Sequence, residues 1–170
     1  MINLRFLFIT LAVILAAGCG YHLVGYGSSL PAHIKTIAIP TFKNSSTEPN
    51  IHRDATDSIR RAFISDGRLK LIDVKRADLI IKGTLINYQL QPVAFSAQDT
   101  VDEYIIRLGV QIEAYDRIKK RILVKQEFNT QWDYRVTSSV IDSESAKNTA
   151  LIEAYNDLAD RLVSIIIEQF

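Results

Sequence analysis

Between Val101 and Tyr115 the chain alternates with period two. Tyr104, Ile106, Leu108, Val110, Ile112 and Ala114 share one face and Glu103, Arg107, Gln111 and Glu113 the other, with Ile105 the exception. Successive side chains of an extended strand point to opposite sides, so the pattern predicts a long strand with one dry face. After the charged turn "DRIKKR", Ile122, Val124, Phe128, Trp132 and Tyr134 alternate with Lys125, Glu127, Asn129, Gln131, Asp133 and Arg135. Two neighbouring strands of equal period predict an antiparallel hairpin. Upstream, a strand is expected from Leu79 to about Gln91, its apolar positions switching from Leu79 and Ile81 to Ile86, Tyr88 and Leu90. Gly83 lies inside it and predicts a bulge, or a close approach of another backbone, at that switch. "IKTIAIP", Ile34 to Pro40, reads as a short buried strand ended by its proline, "TFKNSSTEPN" as a loop and Leu69 to Val74 as a short extended piece.

A different period runs from Ile51, where Ile51, Ala55, Ile59, Ala62 and Phe63 are spaced by three or four. With Asp54 and Asp57 early, Arg60 and Arg61 late and Gly67 just beyond, this predicts an amphipathic helix, capped by Thr47 with Pro49 or by Asn50. A second helix is expected after a cap at Asp142 or Ser143, with Leu151, Tyr155, Leu158, Leu162 and Ile165 on its apolar stripe. The predicted fold is α+β: two helices packed on one face of a four-stranded mixed, largely antiparallel sheet.

The first eighteen residues follow neither pattern. Arg5 precedes a run from Phe6 to Leu15 that is apolar apart from Thr10, and Ala16, Ala17 and Gly18 lead into Cys19, the only cysteine. About a dozen apolar residues fall short of the roughly 20 that span a bilayer as a helix, so the segment reads as an export signal. Small residues before a cysteine resemble the bacterial lipobox, in which the cysteine is acylated and becomes the first mature residue. Residues 1–18 are thus expected to be a lipoprotein signal peptide, 19–33 a Gly- and Ser-rich lipidated tether, and 34–170 one periplasmic domain. Gly20 follows Cys19, where an aspartate would mark retention at the inner membrane in enteric-type sorting, so the expected address is the outer membrane.

Twenty basic residues against nineteen acidic ones leave no bulk charge to attract nucleic acid. His22, His33 and His52 have no metal-ligand spacing, no phosphate-binding glycine motif or nucleophile elbow occurs, and no cofactor is implied. The acidic positions Asp102, Glu103 and Asp116 fall at strand ends or turns, where solvated charges are expected, so the chain does not read as an enzyme. Trp132 and Tyr134 read as core. Arg117, Lys119, Lys120 and Arg121 read either as a soluble hairpin tip or as a contact for anionic lipid phosphates.

The order of "GCGYHLVG", "LPAHIKTIAIPTFKNSSTEPNI", "ADLIIKGTLINYQL" and a hairpin carrying "DEYIIRLGVQIEAYD" resembles the LptE family of lipopolysaccharide-assembly outer-membrane lipoproteins. The resemblance implies two helices on a four-stranded sheet and a protein that plugs and helps assemble the β-barrel LptD, the pair inserting lipopolysaccharide into the outer leaflet. It also implies contact with lipopolysaccharide through basic residues near the ends of the long strands. The expected loop from Pro92 to Glu103 holds no Lys or Arg but carries Asp99, Asp102 and Glu103, which leaves Arg135 as the basic candidate on that side of the sheet. An alternative resemblance is to periplasmic lipoprotein modules that bind a peptidoglycan synthase or form a curli-type secretion channel. The long hairpin and the "GCGYHL" start favour the first.

Overall fold

The computed structural model describes residues 30–137 and 139–168. The expected signal peptide, residues 1–18, and Cys19 lie outside the described residues. The elements run β1 (Thr36–Ala38), β2 (Lys43–Asn44), α1 (Ile51–Asp66), β3 (Lys70–Leu71), β4 (Leu79–Phe95), β5 (Val101–Asp116), β6 (Arg121–Arg135) and α2 (Val140–Glu168). The α+β class and the two helices are as the periodicities predict. The sheet has six strands where four main strands were expected. The additional pieces, β2 and β3, are two residues each, too short to leave a period in the sequence.

The sheet order is β3-β1-β4-β5-β6, with β2 also on β4. β1 is parallel to β3 and β4, and β2 is parallel to β4, whereas β4, β5 and β6 form an antiparallel meander. Long parallel pairing needs a crossover, and α1 supplies the one from β2 to β3. The end of the sheet where β4 begins, beside the β5–β6 turn, is called proximal below; the end with the β4–β5 turn is called distal.

Ile51, Ala55, Ile59 and Phe63 of α1 are buried, and Gly67 ends the helix in the left-handed region with its N–H on the Phe63 carbonyl. Asn50 sits at the N-cap position with φ 67° and makes no side-chain cap. Thr56, fully buried, takes the backbone N–H of Phe42 on its hydroxyl and donates to the carbonyl of His52, which pins the β1–β2 segment to α1. α2 begins at Val140, before the expected cap, because the Ser139 hydroxyl accepts the N–H of Asp142. Its buried stripe closes on Ile166 and Ile167 where Ile165 was expected. Both helices cover one face of the sheet and share a single apolar core with Leu79, Ile81, Leu85, Ile106, Leu108 and Ile112.

Two details of β4 differ from expectation. Gly83 is neither a bulge nor an approach of another backbone: it makes room for a side chain, because a Cβ there would overlap the Phe42 ring. The bulge is at Ile86, the extra residue between the pairs Leu85↔Val110 and Asn87↔Gly109. The strand also runs on to Phe95, through Pro92, so most of the loop expected from Pro92 to Glu103 is strand. Proline lacks an N–H, but beyond Leu85 no strand among the described residues pairs with β4 on the side away from β5, so an edge position tolerates it.

Candidate functional site

The distal end is built from a tight turn and the strands it joins. Ser96 and Thr100 close the turn through a backbone bond of 2.8 Å and a hydroxyl pair at 2.7 Å, with Asp99 in the left-handed region at φ 57°. Facing α2, Tyr104 and Tyr134 pair across β5 and β6 and stack with ring centroids 5.6 Å apart. Val136 continues that ladder by donating its N–H to the Asp102 carbonyl. Tyr88, packed against the core, and Tyr155, buried in it, carry hydroxyls with no hydrogen-bond partner among the described residues. Burial, reinforced by Glu48, Tyr134 and Glu144, pushes the Tyr88 phenol up to about 12, so it stays neutral at any physiological pH.

Arg135 closes β6. Its side chain is 86% exposed, with Nε 4.0 Å from the carboxylate of Glu103, its partner in register. A shallow groove of about 550 Å³ beside it runs between the end of β6 and the first half of α2, lined also by Asp133, Asp142 and Glu153. An ion pair this open is worth little, so Arg135 keeps a solvated charge in acidic surroundings. Apolar groups are exposed at the same end: Leu90, Val93 and Phe95 on β4, and Val140 and Ile141 at the start of α2.

The proximal end is organised by two carboxylates that sequence reasoning placed among solvated charges or passed over. Asp116 is fully buried. Its oxygens accept the N–H groups of Ile118 and Lys119 and lie 2.8 Å from Nε2 of His33. Burial alone would raise its pKa, but the Lys119 N–H, His33 and the Ile118 N–H outweigh it and hold the carboxyl below the usual carboxylate range. Asp78 is opposed by burial in the same way. It is held low by the Thr36 hydroxyl, the N–H groups of Lys35 and Thr36, and the nearby Arg117. Arg117 in turn donates to the carbonyls of Ala77 and Arg76. A signal for Asp116 existed: it continues the even-numbered dry face of β5 one step beyond Ala114.

These carboxylates close turns and fasten strands together. Among the described residues, no group of three His, Cys, Asp or Glu side chains could hold a metal ion. No described helix is long and apolar enough to cross a membrane. His33 joins Asp116, while His52 stands apart on α1 with a buried, unpaired Nδ1.

No curated protein sequence matches the chain significantly. Solved structures of similar fold include a hypothetical protein of Chlamydia trachomatis, 12% identical, with a TM-score of 0.56, covering 78% of this chain and 95% of that one. An uncharacterized lipoprotein B of Nitrosomonas europaea is 15% identical with a TM-score of 0.54, covering 83% and 90%. The rare lipoprotein B of Shewanella oneidensis is 16% identical with a TM-score of 0.51, covering 72% and 90%. At such identities the likeness is one of fold. The family is settled by a sequence model described as lipopolysaccharide-assembly, which matches residues 34–166, from the strand leading out of the incoming chain to the last turns of α2. With that match spanning both helices and the whole hairpin, the chain belongs to the LptE family of lipopolysaccharide-assembly lipoproteins.

Proposed function

We propose that this protein is anchored to the periplasmic face of the outer membrane through Cys19, plugs and helps assemble the LptD β-barrel, and assists insertion of lipopolysaccharide into the outer leaflet. The observation that carries the reading is the family match over residues 34–166. The geometry supports it at the distal end. There a long hairpin presents exposed apolar residues and a strand edge that no strand among the described residues pairs, the kind of surface a partner covers. The family is one of non-catalytic assembly proteins, and the carboxylates found here serve turns. Arg135 is the basic group we assign to lipopolysaccharide phosphate at this end, on the strength of its exposure.

Purifying the lipid-modified protein from outer membranes in mild detergent is expected to bring down one very large β-barrel in near-equal amount. Recovery of a peptidoglycan synthase or a homo-oligomeric ring instead sinks the reading. Cys19→Ala is expected to block acylation and leave the precursor uncleaved by the lipoprotein signal peptidase, visible as an unprocessed band in metabolic lipid labelling. Normal processing of that variant would refute the anchor.

A further inference from the structure

Between α1 and the N-terminal half of α2 lies a cleft of about 440 Å³. Its lining is acidic: Glu48, Asp54, Asp57 and Glu144 stand against Arg61 and Lys147. Both cations are engaged, Arg61 by the Ser58 hydroxyl at 2.8 Å and Lys147 by Glu144 at 4.0 Å, and Asp57 holds Arg60 at 2.8 Å. Glu48 and Asp54 are left with no cation within ion-pair distance among the described residues. A carboxylate in the first turn of a helix complements its dipole, which accounts for Asp54 as a charge. The inner wall needs another explanation.

Tyr155, only 3% exposed, forms that wall, and its hydroxyl has no hydrogen-bond partner among the described residues. Burial pushes its phenol up, reinforced by Asp54, Tyr88 and Glu48, so the hydroxyl faces the acidic lining. The Tyr88 hydroxyl, equally without a partner, is acted on by Glu48 and Glu144 of the same lining. A phenylalanine at 155 would fill the space without burying an unpaired polar atom. The hydroxyl is explained by a donor that arrives from outside. The cleft also adjoins the surface already assigned to a partner. Ser45 donates to the Leu85 carbonyl, the last point at which β4 has a neighbour on the side away from β5 among the described residues, and the Asn44 side chain donates to the Glu48 carbonyl. Glu48 and the start of α1 therefore sit where the uncovered edge of β4 begins. Ile152, 55% exposed, gives the cleft an apolar lip.

We infer that the cleft between α1 and α2 receives an arginine side chain of the barrel partner, whose guanidinium donates to Glu48, Asp54 and the Tyr155 hydroxyl. A guanidinium offers five donors and no acceptor in a planar fork, is weakly hydrated, and has a methylene stem that can pack on Leu151 and Ile152. A metal ion is the poorer match, since no group of three His, Cys, Asp or Glu side chains among the described residues could hold one. The inference rests on the proposed partnership with the barrel. It adds what the barrel must bring and which part of this chain takes it.

The test uses the full, lipid-modified chain carrying the photocrosslinker benzoylphenylalanine in place of Ile152, purified from outer membranes together with its barrel. After irradiation, mass spectrometry is expected to map the adduct to a barrel segment within a few residues of an arginine. Asp54→Arg is expected to cut the adduct yield about tenfold or more, and changing the mapped arginine to glutamate in the barrel to restore it. Tyr155→Phe loses no internal hydrogen bond, so the unfolding midpoint of the purified chain should stay or rise, while the yield falls about fivefold or more. That variant keeps the test decisive if Asp54→Arg folds poorly. No adduct, an adduct in a barrel segment without arginine or in a second copy of this chain, or a yield unmoved by Tyr155→Phe overturns the inference while leaving the barrel partnership intact. Absence of a barrel from the purified material, or an adduct in a peptidoglycan synthase, overturns the partnership and this inference together.

Discussion

From Leu79 to Leu85, β4 has β1 and β2 on one side and β5 on the other, and Leu79, Ile81 and Leu85 are fully buried. From Ile86 to Phe95 the same strand is paired, among the described residues, with β5 alone, and Ile86, Leu90, Val93 and Phe95 are exposed. The first half is bound by neighbours on every side, so its residue choices are set by packing. In the second half, the exposed residues can change with little effect on stability, and the exposed apolar side chains have no internal reason to be apolar; Tyr88, packed against the core, is the exception. Partner contact is best sought where a sequence spends hydrophobic residues that its own fold does not use.

The hardest blow to that contrast would be tolerance in the first half. Gly83→Val is expected to cost about 3 kcal/mol or more, because its Cβ would overlap the Phe42 ring. Guanidinium titration should show a lower midpoint, and Phe42→Ala in the same chain should recover part of the loss, since the two changes share one contact. An unchanged midpoint would mean that the two halves are not differently packed.

Next in size is Asp116, whose loss leaves turn N–H groups without their acceptor. Asp116→Ala is expected to cost about 2 kcal/mol at about pH 7. Its native carboxyl titrates below the usual range, so its stabilisation is fully present above the unfolded value and is lost as pH falls through the depressed native one. The stability gap between the native protein and Asp116→Asn should therefore shrink with acid across that window, as urea titrations at several pH values would show. A gap that widens would reverse the assigned direction.

The smallest effect on folding belongs to the distal half. Leu90→Ser with Phe95→Ser is expected to change stability by no more than about 0.5 kcal/mol per site, and to weaken co-purification of the barrel partner. Loss of folding would move these residues into the core, while full partner recovery would detach this edge from the proposed contact.

The alternation of β5 was legible because its core-facing positions, Ile106 through Ala114, are fully or almost fully buried and no bulge interrupts them until after Ala114. The same alternation reached Asp116, yet an aspartate next to a charged turn looks solvated unless His33, eighty-three positions away, is known to face it. In β4 the change of apolar parity was visible, but Gly83 drew the bulge toward itself. Its missing side chain answers to Phe42, a packing relation that one-dimensional periodicity does not carry. Pro92 suggested a loop because a proline stops a central strand, and whether a strand is central depends on pairing elsewhere. At the candidate site, the place of Arg135 at the end of β6 was legible in the sequence, while the acidic groove beside it comes from α2 returning along the sheet. The basic residues of 73–78 and 116–121 were visible in the sequence, but only the topology brings the two segments together.

The bulge at Ile86 separates two properties that strands usually couple. The pairs Leu85↔Val110 and Asn87↔Gly109 flank it, so removing Ile86 would leave every later residue of β4 opposite its present partner and on its present face. What would change is direction, because a bulged strand bends and twists more strongly than a regular one. Ile86 thus works as a steering element: it sets the angle at which the far end of the hairpin leaves the helix-covered domain without taking part in choosing what that end displays.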